Sequence, residues 1–319
     1  MDVVREVMDA ERRIRHLIDP SPLEHSSTLS RLNGGRVFLK LEHLQPTGSF
    51  KVRGALNTLL ALGPERREQG VVAASSGNHG LAVAYAAKTL GARCVVFVPE
   101  GASGAKTDAI VELGAEIRRH GHDVAVTETH ARGWATEHGR EYVSPYNDPR
   151  VIGGQGTIAV ELARQLEHVD AIFVAVGGGG LASGVAGYAK TVFDRVQIVG
   201  ATPTNSAAMA ESVAAGRIVD AEQCPTLSDG TAGGIEPGAI TFELCRELVD
   251  RFVKVSEEEI ATAMRLCMES HNMAVEGAAG VAVAAYIRVA EDMRGKDVAI
   301  VVCGANIGPE TLHSVLRSE

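Results

Sequence analysis

The chain has 319 residues, 45% of them hydrophobic and 22% charged, which is length for about two domains with large cores. A net charge of −9 with scattered basic residues argues against nucleic acid, and the uncharged apolar stretch 277–287 is too short to span a membrane. No basic-then-apolar leader opens the sequence, and the five cysteines are odd in number and unclustered, so the expectation is a cytoplasmic protein with reduced thiols and no zinc site.

Taken in order, the chain begins with an amphipathic helix over 2–18, where Val4, Met8, Ile14 and Leu17 recur among charges, and Ser21-Pro22-Leu23 breaks it. A strand over 37–41 leads through Pro46-Thr47-Gly48-Ser49-Phe50-Lys51 into a helix over 52–62 that Gly63-Pro64 ends. Strands at 71–74, 93–98, 115–119 and 141–143 then alternate with helices at 79–90, 104–113 and 123–138. The alternation continues with helix 151–167, strand 171–176, helix 181–192 and strand 196–201. Helices near 206–215, 239–250, 256–271 and 277–290 follow, with a last strand at 297–302. Short, continuously apolar strands between helices predict an α/β fold of mostly parallel, doubly covered sheets. The segment 218–238 is the longest irregular stretch, and long loops in compact domains are often functional.

Lys51 is the residue around which this pattern is organised. Ser49 is the expected helix cap, which places Lys51 in the first turn, where the helix dipole disfavours a cation. Such a site suits a lysine that gives up its charge, as in a Schiff base with a carbonyl cofactor. Only 7 of the 31 basic residues are lysines, and Lys51 alone follows a Gly-Ser turn between strand and helix. The alternative is an ordinary solvated lysine.

Two further loops lie where open α/β sheets bind ligands, at the carboxyl ends of strands. Ser75-Ser76-Gly77-Asn78-His79-Gly80 offers hydroxyls, an amide and free backbone N–H groups at a helix start, a cradle for a carboxylate or phosphate. Gly177, Gly178, Gly179 and Gly180 are consecutive, an entropic cost that a plain turn does not require and that a phosphate wrapped by backbone N–H groups explains. A dinucleotide pattern fits this loop weakly, because the third glycine would fall on Ala182 or Ser183. A Gly-Lys-Ser/Thr phosphate loop, His-Glu-x-x-His and Gly-x-Ser-x-Gly are absent from the sequence. His120-Gly121-His122-Asp123 reads as a surface turn rather than a metal centre. Cys303, in Cys303-Gly304-Ala305-Asn306 after the last strand, is either a core thiol or a small polar partner for a ring nitrogen.

Together these motifs resemble the pyridoxal-phosphate enzymes of the tryptophan-synthase β fold, and within them the serine/threonine dehydratase and serine racemase family. The likeness runs nearly end to end and includes Gly154-Gln155-Gly156-Thr157 and Leu227-Ser228-Asp229-Gly230. It implies pyridoxal 5'-phosphate as cofactor, Lys51 as its Schiff-base lysine, Asn78 on its ring hydroxyl, 177–180 on its phosphate and Cys303 facing its pyridine nitrogen. It also implies that Ser75, Ser76, Asn78 and His79 surround the substrate carboxylate. A smaller domain at 67–147 would be inserted into a larger one made of 1–66 plus 148–319, and homodimers are usual in the family.

The activity so implied is β-elimination from threonine or serine to a 2-keto acid and ammonia. Racemisation, with Ser76 as the second acid, is the alternative. A hydroxyectoine-utilisation dehydratase, suggested by Leu41-Glu42-His43-Leu44, is another. From other classes, an NAD-binding oxidoreductase and a non-catalytic binding module stay open. The resemblance also marks departures. Ala305 stands where a second glycine is common, and Thr202 and Ala208 stand where relatives carry the carboxylates of a divalent-cation site, so no metal is expected. The chain ends soon after Cys303, so no regulatory domain is expected. Gly179→Val is expected to weaken cofactor binding far more than stability, by filling the phosphate's place.

Overall fold

Apolar runs such as Val71–Ala74 and Cys94–Val98 are buried at every position, the condition for strands covered on both faces. In the computed structural model, which describes residues 1–317 (the backbone alone at 105 and 106), ten strands form two sheets. They are β1 Leu23–His25, β2 Arg36–Leu41, β3 Val71–Ala74, β4 Cys94–Val98, β5 Glu116–Arg119, β6 Glu141–Tyr142, β7 Ala171–Ala175, β8 Gln197–Pro203, β9 Arg251–Val255 and β10 Asp297–Val302. One sheet has the order β1-β2-β10-β7-β8-β9, and the other β5-β4-β3-β6. All pairings are parallel except β1 on β2. The four-stranded sheet is drawn wholly from 71–142, and the six-stranded sheet from the segments on either side.

Most predicted elements lie within a residue or two of their expected bounds, and the exceptions have physical reasons. β1 is three polar-flanked residues on a sheet edge, too short to show alternation. Gly63-Pro64 was expected to end a segment but opens the short helix Gly63–Gln69, because proline in a first turn gives up an N–H that has no partner there anyway. Ser26 caps an unpredicted helix, Ser27–Asn33, by accepting from the Leu29 N–H. β9 lies between the predicted helices 239–250 and 256–271, where no strand is expected, and the first of those helices stops at Leu248. The helix Pro309–Arg317 lies beyond the last predicted strand.

Glycines bring three helices together where the site will form. A Cβ on Gly154 would come within 2.6 Å of the Gly54 Cα, and one on Gly156 within 2.7 Å of the Gly184 carbonyl oxygen. The helix Pro149–Gln165 therefore packs backbone to backbone against both Lys51–Ala61 and Gly180–Val192. The Gly154–Thr157 motif is thus scaffold, holding apart by a fixed distance the two helices whose N-termini carry Lys51 and the glycine loop.

A buried ion network ties two of these helices, Lys51–Ala61 and Pro149–Gln165, to each other and to β2. Arg53 spends all five guanidinium donors, on Glu42 (2.7 and 2.8 Å), Glu161 (2.7 and 2.9 Å) and Thr157 (2.9 Å). Lys40 spends its three on Ser21 O, Glu161 and Gln165. Despite burial, Glu161 is held at about 2 by Arg53 and Lys40, which outweigh the loss of water. Glu42, from the Leu41-Glu42-His43-Leu44 run, is wholly committed to Arg53 and Ser21 and does not face a ligand.

Candidate active site

Lys51 opens its helix as expected, but Ser49 does not cap it. Phe50 occupies the N-cap with helical dihedrals and no side-chain bond, while Ser49 forms an isolated antiparallel bridge with Gly304. The Phe50 N–H donates to the Cys303 carbonyl at 3.0 Å. Tertiary pairing has overridden capping preference, and it joins the lysine turn to the turn after β10. The Ser49 hydroxyl is left buried with no partner among the described residues.

The Lys51 Nζ donates to the Pro145 carbonyl at 2.8 Å. Removal from water lowers its pKa from 10.5 to about 8, with the Cys303, Glu276 and Glu128 groups offsetting part of the shift. Pro145 also leads into Tyr146, whose ring lies over the glycine loop, so one short segment touches both the lysine and that loop.

The glycine loop passes a test for an anion. Among the described residues, no acceptor bonds the backbone N–H groups of Gly177, Gly178, Gly179, Gly180, Leu181 or Ala182, which converge at the start of Gly180–Val192. Such a set of free donors on a helix N-terminus fits a phosphate. The glycines themselves serve packing. A Cβ on Gly178 would fall 2.4 Å from the Tyr146 ring, and one on Gly177 2.7 Å from the Thr231 carbonyl. Gly179 has φ +85, and a Cβ there would meet Cys245 Sγ at 2.8 Å and Met209 Cε at 2.9 Å. The expectation for Gly179→Val is therefore corrected: the side chain would collide with the core, not with the phosphate's place.

The loop after β3 forms a second set of donors. Among the described residues, the backbone N–H groups of Ser76, Asn78, His79 and Gly80 have no acceptor, whereas Gly77 N–H bonds the Ser75 hydroxyl at 3.1 Å. Ser75 is therefore occupied within its own turn, while the half-buried Ser76 hydroxyl has no partner among the described residues. The His79 ring is buried and donates from Nε2 to the Val143 carbonyl at 2.8 Å. Burial, helped by the Lys51 charge, pushes its pKa down to about 3, so the ring is a neutral prop. What His79 offers to the cleft is its backbone N–H.

Asn78 sits in a hydrogen-bonded network with Glu276, a residue outside the motifs singled out in the sequence. Its Nδ2 donates to both Glu276 oxygens at 2.9 Å, and its Oδ1 accepts from Asn306 Nδ2 at 2.7 Å. Glu276 also accepts from the Asn306 N–H at 3.2 Å, and Asn306 reaches back to Thr47 O at 2.8 Å. Burial raises Glu276 to about 7, partly offset by these bonds. Glu276 is the one charged side chain between His271 and Arg288, a signal that a closer reading could have used. Cys303 is buried, and burial pushes its thiol well above the ordinary range, so it is neutral.

The remaining motifs fall away from this cluster. His120 stacks on His130 at 3.6 Å, and among the described residues no group of three or more His, Cys, Asp or Glu is arranged to hold a metal ion. Thr202 and Ala208 are buried, and Glu211 is turned outward to Lys254 at 2.9 Å. Among the described residues no helix is long and apolar enough to cross a membrane.

The family described as pyridoxal-phosphate dependent enzyme matches residues 14–304. The chain is 39% identical over 317 residues to an L-threonine ammonia-lyase of Thermotoga maritima, covering 99% of this chain and 79% of that protein. It is 36% identical over 320 residues to a serine racemase of Arabidopsis thaliana, covering 99% and 96%. The structure of the processed form of threonine deaminase isoform 2 from Solanum lycopersicum superposes with TM-score 0.93 at 33% identity, covering 98% of this chain and 87% of that one.

Proposed function

The chain belongs to the pyridoxal-phosphate dependent enzyme family, and from that premise we propose that it is an ammonia-lyase converting threonine or serine to the 2-keto acid and ammonia. The observation that carries this reading is the pairing of a desolvated Lys51 amine with a cradle of free N–H groups at 177–182, joined through Pro145 and Tyr146.

When bound, pyridoxal phosphate supplies a carbonyl carbon for an amine and an electron sink for the pair left by a departing α-proton. The N–H groups of 177–182 hold the phosphate, and those of Ser76, Asn78, His79 and Gly80 hold the substrate carboxylate. Lys51 takes the α-proton at Nζ. With a pKa of about 8, roughly a tenth of such amines are neutral at pH 7, against well under ~0.1% at the ordinary value, so a base is on hand. Cys303 stays a thiol and supplies no carboxylate to keep a proton on the ring nitrogen, a setting that favours prompt loss of the β-hydroxyl. In the same reading 67–147 is a smaller domain inserted into 1–66 plus 148–319, the cleft lies between them, and the working form is a cytoplasmic homodimer.

The purified protein is expected to show visible cofactor absorbance and to release keto acid from threonine or serine. Lys51→Ala should fold and bind cofactor weakly, with turnover lower by orders of magnitude because the base is gone. Turnover near wild type in that variant would overturn the assignment, as would a colourless wild type that binds a nicotinamide cofactor. One observation favours racemisation as a second reading: the unpartnered Ser76 hydroxyl is free to carry a proton. Ser76→Ala should then abolish exchange of serine enantiomers while sparing keto-acid release.

A further inference from the structure

Glu276 is placed where its chemistry is least expected. It is the N-cap of the helix Gly277–Arg288, a position from which an acidic side chain usually accepts from its own first turn, yet it makes no such bond. Its carboxylate turns away, into a buried space, and takes the amide of Asn78 and the backbone N–H of Asn306 instead. The surroundings are built to admit it. A Cβ on Gly304 would fall 2.4 Å from Oε1, so that neighbour must be glycine for the carboxylate to lie there, while a Cβ on Gly277 would fall 2.0 Å from the Leu227 carbonyl, which sets the close approach of the helix start to the long loop.

The bonds constrain Asn78 completely. Oδ1 is taken by Asn306, and the two Glu276 oxygens, which lie on one side of Nδ2 because they belong to one carboxylate, share a single N–H; this forbids the flipped amide, since a flip would face oxygen to carboxylate and nitrogen to the Asn306 amide. One N–H of Asn78 is left over, with a fixed direction. Resting on the reading that this cleft binds pyridoxal phosphate through Asn78, we infer that Glu276 is a positioning residue that fixes the amide of Asn78 and passes its own charge through that amide to the cofactor ring.

Among the described residues, three ionisable groups act on Glu276. Lys51 faces it from the lysine helix, Asp229 from the long loop, and Cys303 from the end of β10. Loss of water and Asp229 both favour the protonated acid, while Asn78, Asn306 and Lys51 favour the carboxylate. Their balance puts its titration at about 7. Below that point Glu276 carries a proton and offers a donor to the network. Above it, both oxygens accept. The ring's electronic environment should therefore change across neutral pH without any change in fold.

The test uses holoenzyme, recording visible cofactor absorbance from pH 5.5 to 9 alongside kcat and KM for threonine. Wild type should show a spectral step with a midpoint near 7. Glu276→Gln, which cannot titrate and has one acceptor for two donors, should lose that step and lose kcat at least tenfold with KM changed less than threefold. A step that survives in Glu276→Gln, or wild-type absorbance that is flat across this range, overturns the inference. If Glu276→Gln fails to hold cofactor, Glu276→Asp decides. A carboxylate withdrawn by one methylene should keep a step with a displaced midpoint, and an unmoved midpoint with wild-type kcat counts against it. A wild-type protein without visible cofactor absorbance fails the functional reading itself, a distinguishable result.

Discussion

The buried His79 gives a prediction whose size and sign can be worked out. Its ring is 5% exposed, bonded to Val143 O, and holds a pKa of about 3 against an ordinary 6.5, because burial and the Lys51 charge oppose the imidazolium. In the unfolded chain the ring gains a proton near 6.5, while in the folded protein it does not. Stability from this group is therefore fully present above 6.5 and is lost as pH falls toward 3. Between pH 7 and 4.5 the loss is about two pH units at ~1.4 kcal/mol each, or ~3 kcal/mol. Glu276, raised to about 7, works in the opposite direction over the same range, since the unfolded chain releases its proton first as pH rises. The wild-type profile alone does not separate the two. The difference between wild type and His79→Gln does, because Glu276 is common to both. His79→Gln should be less stable at pH 7 through lost packing, and that deficit should shrink by ~3 kcal/mol at pH 4.5 in chemical denaturation of cofactor-free protein. A deficit unchanged within ~0.5 kcal/mol would show that the ring protonates as readily inside the fold as outside it.

Three other outcomes are expected. Gly179→Ala should destabilise cofactor-free protein by about 1–3 kcal/mol, because its Cβ meets Cys245 and Met209 and its φ is left-handed. An unchanged melting temperature with lost cofactor affinity would restore the simpler view that this glycine clears room for phosphate. Arg53→Met should cost about 3–5 kcal/mol in denaturant unfolding, since it leaves Glu42 and Glu161 buried without their main counter-charge. A loss below ~1 kcal/mol would mean that Lys40 and Arg15 suffice. Keto-acid release should be indifferent to chelator and to added Mg²⁺ at constant ionic strength, because Thr202 and Ala208 bring no carboxylate. A several-fold loss with chelator, restored by Mg²⁺ or Ca²⁺, would contradict that.

The parts of the site made from backbone were legible in the sequence, because their residue types answer a local demand. The strand at 71–74 has the same bounds in structure and prediction, and the loops after β3, β7 and β10 fall where apolar runs stop and Gly, Ser or Asn begin. Lys51 stood out for the same reason, as a cation at a helix start. Where the reading relied on local preference against a distant partner, it failed. Ser49 has the right chemistry for a cap, but pairing with Gly304 took the position away.

The tetraglycine loop shows how one sequence pattern can answer two demands. Four glycines mark a loop of free N–H groups at a helix start, the setting on which the phosphate reading rests. Yet each glycine is demanded by a neighbour on its protein side: Thr231, the Tyr146 ring, Cys245 with Met209, and the Tyr146 backbone. None of these lies nearby in sequence, so periodicity could not reveal them. The same holds for Glu276, which acts on Asn78 from 198 residues away. Its one local trace is a lone charge in an apolar helix start, and a lone buried carboxylate has to be held by donors that the fold supplies. In this chain those donors are Asn78 and Asn306, so the isolated charge in the sequence and the orientation of Asn78 in the cleft are two views of one constraint.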